Sequence, residues 1–194
     1  PKNIFISDAP IPALQVISLL DTTPEAGDQH GSGATLELAN GNIVQSSPND
    51  DFAGTDAGAV YVYRKSDGAL LSMLTGSSTD DRIGGELQAV GAGNFIVSSS
   101  NWDYGAAVDA GAVTWGSGIG GVSGVVSAAN SLVGSHTDDR IGTDSLGGNG
   151  IFLLSNGNYV VRSPDWDNGA AVDAGAATWG SGASGVAGVI SAGN

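Results

Sequence analysis

The side chains most able to do chemistry are carboxylates, and they recur in clusters. Asp165, Asp167 and Asp173 form the densest group, echoed by Asp103 with Asp109 and by Asp51 with Asp56. Carboxylates two and six residues apart, with glycine and backbone carbonyls between them, can wrap a hard cation such as Ca2+. The same side chains also accept N–H bonds from their own loop and hold tight turns, which is a purely structural role. Asn49 and Asn101 stand where Asp165 does, and this unequal acidity favours the turn.

A second acidic motif is Asp80-Asp81-Arg82, repeated as Asp138-Asp139-Arg140. Guanidinium pairs with carboxylate through a planar fork. Asp81, Arg82, Asp139 and Arg140 are therefore expected to form a clasp between adjacent units. His30 and His136 are the only histidines, both in turns beside acidic residues, and their spacing does not make them a metal pair. Trp102 and Trp166 fall in loops, where exposed indoles could stack on sugars. Trp115 and Trp179 fall in strands, where packing between units is expected.

Catalysis has little to stand on. There is no cysteine, no Ser-His-Asp pattern and no phosphate-cradling glycine loop leading into a helix and lysine. Paired carboxylates serve glycoside cleavage, but an active site is usually unique and these aspartates repeat. The expectation is a protein that is not an enzyme and requires no cofactor, with Ca2+ as the one ion its loops could hold.

The elements that carry these residues are internal repeats. Asp165–Gly182 duplicates Asn101–Gly118 with three differences in eighteen positions, and Asn49–Tyr63 is a worn third copy. Three landmarks recur in order. They are a Gly-Asn turn at residues 41, 93 and 157, Asp-Ala-Gly-Ala from Asp56, Asp109 and Asp173, and Asp-Asp-Arg-Ile-Gly from Asp80 and Asp138. Asp28-Gln29-His30-Gly31 precedes the first unit in the place of the last landmark. The expected boundaries are 28–76, 81–135 and 139–194, the last a candidate for truncation, with 1–20 as the outer hairpin of a preceding unit.

Each unit reads as four strands. Thr35–Ala39 and Ile43–Ser46 flank an Asn-Gly turn, the strongest local hairpin signal. Ala59–Arg64 and Ala69–Leu74 make a second hairpin. The later units repeat this with Glu86–Val90, Asn94–Ser98, Ala112–Trp115 and Val122–Ser127, then Ile151–Leu154, Tyr159–Arg162, Ala176–Trp179 and Val186–Ser191. Asn3–Ser7 and Leu14–Leu20 align with a second hairpin. No stretch has a 3.6-residue apolar period, so no long helix is expected.

Composition agrees. Glycine is 32 of 194 residues, which suits short strands and tight turns. A net charge of −14 repels phosphate, so nucleic acid and anionic membranes are poor partners. No apolar run approaches a membrane span.

Ile83-Gly84 and Ile141-Gly142, Ser47-Pro48 and Ser163-Pro164, and Gly58–Tyr63 together resemble the FG-GAP repeats of integrin-α-type β-propellers. They are also similar to tandem repeats of large bacterial surface proteins of adhesin type. The first likeness implies an all-β fold of four-stranded antiparallel units arranged as propeller-like blades, with a linear β-solenoid-like stack as the alternative. The family's Asp-rich calcium loop has no match at Asn40-Gly41-Asn42, Gly91–Asn94 or Asn156-Gly157-Asn158. The second likeness implies an extracellular or cell-surface structural and adhesive module. Such a module would self-associate or form part of a fibre-like array, and a glycan or surface ligand is a further candidate partner. A lectin- or integrin-like propeller with calcium-stabilised loops is the alternative function.

Overall fold

The computed structural model describes residues 17–144 and 147–191. They are all β, with no helix among them and three sheets, none closed into a barrel. The expected hairpin at Asn3–Ser7 and Leu14–Leu20 lies outside the described residues except for 17–20.

Unit 1 is an antiparallel meander of β1 (Thr35–Glu37), β2 (Ile43–Ser47), β3 (Ala59–Tyr63) and β4 (Leu70–Thr75). Gly41 takes a positive φ of 85° in the β1–β2 turn, where a Cβ is disfavoured. Unit 2 contains β5 (Glu86–Val90), β6 (Asn94–Ser99), β7 (Ala112–Gly116), β8 (Gly124–Val125) and β9 (Ser131–Val133). Unit 3 contains β10 (Ile151–Leu153), β11 (Tyr159–Ser163), β12 (Ala176–Gly180) and β13 (Gly188–Val189).

The expected fourth strands of units 2 and 3 are corrected. Val122–Ser127 does not close its own meander. It contributes only β8, which runs parallel to β4 of unit 1, while β9 takes the fourth place beside β7. Val186–Ser191 behaves likewise, with β13 running parallel to β9 of unit 2. The physical reason is glycine. Gly118, Gly120, Gly121 and Gly124 turn the chain out of the sheet, and Val122 and Val126 then find apolar cover on the preceding unit. Each of these arms thus straps a unit to the one before it.

Alternation along the strands explains why the units stack. In β6, Phe95 and Val97 join the cluster shared with unit 1, whereas Ile96 joins the cluster shared with unit 3. Val133 and Leu132 of β9 divide in the same way. A strand that is apolar on both faces needs cover on both faces, and neighbouring units supply it.

At one edge the contact is asparagine amide against main chain. The carbonyl of Gly118 accepts the side-chain amides of Asn40 (2.7 Å) and Asn42 (2.9 Å) from unit 1, and its N–H donates to Asn94 of its own unit (3.0 Å). The carbonyl of Gly182 accepts Asn94 from unit 2 (2.9 Å), and its N–H donates to Asn158 (3.0 Å). A Cβ on Gly118 would lie 1.7 Å from the Gly93 carbonyl oxygen, and one on Gly182 would lie 1.8 Å from that of Gly157. Gly182→Ala should therefore destabilise by more than about 3 kcal/mol in denaturant melts. Gly120→Ala, with nothing within 4 Å of its Cβ, should cost no more than about 1 kcal/mol. Equal costs would remove the close-approach argument.

Candidate functional site

The aspartates assemble into a relay at each junction between units. Asp81 is fully buried, and its carboxylate accepts the backbone N–H groups of Ser77 (2.7 Å), Ser78 (2.8 Å) and Asp103 (3.0 Å). Asp139 is equally buried and accepts those of Ser135 (2.8 Å), His136 (2.9 Å) and Asp167 (2.9 Å). Asp28 does the same for Glu25 and Asp51. Each buried carboxylate thereby ties the linker before a unit to the long loop after that unit's second strand.

The relay continues outward. Asp51, Asp103 and Asp167 each accept the N–H of Asp56, Asp109 and Asp173, at 2.8, 2.9 and 2.8 Å. Those three residues sit at positive φ of 52°, 53° and 51°, a conformation in which aspartate is among the better-tolerated non-glycine residues. Asn49 and Asn101 then donate to Asp56 and Asp109 (2.8 and 3.2 Å), a bond for which Asp165 has no N–H to offer. The seven carboxylates first singled out for Ca2+ thus lie in turns, and three of them spend an oxygen on backbone N–H.

Arg82 and Arg140 reach across each junction with one nitrogen, to Asp56 at 3.5 Å and Asp109 at 3.7 Å. Both side chains are about half exposed, so these pairs contribute little, within about 1 kcal/mol. Backbone bonds do more of the joining, Ile83 donating to Ala57 (3.1 Å) and Ile141 to Ala110 (3.2 Å).

Three of the four indoles reverse the expectation, and Trp115 meets it. Trp102 and Trp166 are only 3% and 6% exposed, so they do not offer loop surfaces to a sugar. Their loops fold back, with Gly111 and Gly175 donating to the Trp carbonyls, and this drives the rings into the inter-unit clusters. Trp115 is partly covered by unit 3, its indole N–H donating to Gly182 (3.1 Å), whereas Trp179 is 55% exposed.

A different polar centre escaped sequence reasoning. Aligning the units by their shared backbone bonds places Asp50 where Trp102 and Trp166 stand. His30 falls in the place of Ile83 and Ile141, and Tyr61 in that of Thr114 and Thr178. Tyr63 falls in that of Gly116 and Gly180. In unit 1 these residues meet. The Tyr61 hydroxyl donates to buried Asp50, and the His30 ring packs edge-on against Tyr61 with centroids 4.8 Å apart. The Tyr63 hydroxyl lies 3.0 Å from the Leu20 carbonyl and 3.3 Å from His30 Nε2. Burial raises the Asp50 pKa, against the lowering effect of the Tyr61 and Phe52 bonds, and the charges of Asp28 and Asp21 raise it further. Burial likewise pushes Tyr61 and Tyr63 up. A position-by-position alignment of the three copies carries this signal; a search for motifs common to all copies hides it.

Fold and junctions define an all-β protein of tandem antiparallel units joined by buried carboxylates. Residues 89–143 and 153–194, half of the chain, match the family model described as a repeat of unknown function (DUF5650), and the chain belongs to that repeat family. No curated protein matches it. No helix among the described residues is long and apolar enough to cross a membrane.

Asp139→Asn turns an amide towards N–H donors and should cost about 2–3 kcal/mol in denaturant melts. Arg140→Ala should stay within about 1 kcal/mol; equal costs would contradict the carboxylate's anchoring role. Burial also raises the pKa of Asp81 and Glu86. With folded pKa values above unfolded ones, the native state binds more protons as pH falls through this window. Stability should therefore rise from neutral pH towards the unfolded carboxylate range near about 4. Asp50→Asn should flatten this rise, read as melting temperature against pH in the presence of chelator; an unchanged slope would contradict the burial assignment.

Proposed function

We propose that the chain is a non-enzymatic structural and adhesive repeat module of an extracellular bacterial surface protein. It works by packing unit on unit, as propeller-like blades of the FG-GAP type, in an array that accepts further units of the same kind. One observation carries this reading. The outer face of unit 2 is covered by the arm of unit 3, whose Gly185 lies against Trp115. The arm of unit 2 covers unit 1 in the same way, with Gly121 against Val62. Unit 3 presents the corresponding face bare: Phe152 (59% exposed) and Trp179 flank Val160 across the sheet. A sheet face this apolar is usually an interaction surface.

The occupant that fits is another unit of this repeat, because the corresponding face of unit 2 lies under the arm of unit 3. Sedimentation velocity over increasing concentration should show wild-type chains forming larger species. Trp179→Arg should hold them as monomers without lowering the melting temperature. Wild-type protein that stays monomeric throughout, or a variant that assembles equally well, would contradict the proposal.

A further inference from the structure

We propose that unit 1 carries a binding site for one divalent transition-metal ion, of the class of Zn2+, formed by Asp21, His30 and Asp50. Ligand atoms from these three side chains lie within 4.8 Å of one another. Asp21 Oδ2 and His30 Nδ1 are shut off from solvent and have no hydrogen-bond partner. Buried polar atoms are rarely left so, and two of them on residues of one three-ligand cluster point to a bound group.

The surrounding bonds fix which lone pairs are free. The Tyr63 hydroxyl donates its hydrogen to the Leu20 carbonyl, so His30 Nε2–H donates to the Tyr63 oxygen. This leaves Nδ1 unprotonated with its lone pair unshared, the form in which imidazole ligates metals. Asp21 is held through its other oxygen by the Thr23 N–H at 2.8 Å. Asp50 is held by the Tyr61 hydroxyl on one oxygen and by the Phe52 N–H on the other at 3.1 Å, and each oxygen retains a lone pair. Tyr61 and Tyr63 thus orient two ligands from behind, as outer-shell groups do in metal sites. One imidazole nitrogen with two carboxylates suits Zn2+ and its neighbours, whereas Ca2+ and Mg2+ prefer oxygen alone.

Packing does not require these side chains. In units 2 and 3 the places of His30 and Asp50 hold buried isoleucine and tryptophan. Unit 1 alone exchanges both for ligand types, and brings Tyr61 and Tyr63 with them. The other cluster with ligand-like spacing among the described residues, His136, Asp139 and Asp167, differs in kind. None of its ligand atoms is buried without a partner, and its bonds follow the pattern that Asp81 and Asp103 show with serine in place of the histidine.

The test is calorimetric titration of chelator-treated protein with Zn2+, and in parallel with Ca2+. The wild type should bind one Zn2+ per chain and gain melting temperature. His30→Ile installs the residue of the other units, so folding is retained, and Asp50→Asn is close in shape. Each should weaken Zn2+ binding at least tenfold, while His136→Ser should leave it unchanged. Absence of saturable Zn2+ binding would overturn the proposal. So would tighter binding of Ca2+ than of Zn2+, a loss below tenfold in folded His30→Ile and Asp50→Asn, or a loss in His136→Ser. The site does not depend on the packing role, since assembly is read separately at Trp179.

Discussion

Everything in this molecule hangs on a carboxylate buried at the start of each unit. Asp28, Asp81 and Asp139 are removed from water, a costly place for charge. Backbone N–H groups converging from two segments offset that cost. Because those segments belong to a linker and to a distant loop, the charge can be satisfied only when both are in place. A small unit with one meander cannot bury enough apolar surface alone. The carboxylate makes its folding conditional on the linker that joins it to the preceding unit, and the arms and the glycine edge add apolar and polar contacts to the same junction.

Glycine serves this arrangement through what it lacks. Gly118 and Gly182 pack their main chains against Gly93 and Gly157 of their own units, and their carbonyls stay open to asparagine amides of the unit before. Aromatic rings exploit the same absence inside the sheet. Gly116 lies against Phe95 and Gly180 against Tyr159, whereas unit 1 has Tyr63 in the glycine's place, opposite Ile43.

Much of the fold was legible in the sequence because it is local. The Asn-Gly turns and alternating strands place β1, β2, β3, β5, β6, β7, β10, β11 and β12 within a residue or two. What failed was the destination of Val122–Ser127 and Val186–Ser191. Their alternation reads as a strand of their own unit, but the surface they cover belongs to the preceding one, and pairing partners leave no local mark. The indoles failed for a related reason. Trp102 and Trp166 sit in loops by sequence, yet those loops fold inward. The polar centre of unit 1 was overlooked because shared motifs were sought, whereas Asp50, His30, Tyr61 and Tyr63 are the places where the copies disagree.

The central claim is that junction carboxylates make the units fold together. Native-state hydrogen exchange at the amides of Asp103 and Asp167 tests it most directly, since each donates to the buried carboxylate of its junction. The account predicts that these loop amides exchange only through the same global opening as the amides of β6 and β11. Exchange of the two amides at loop-like rates, while the strands stay protected, would contradict it.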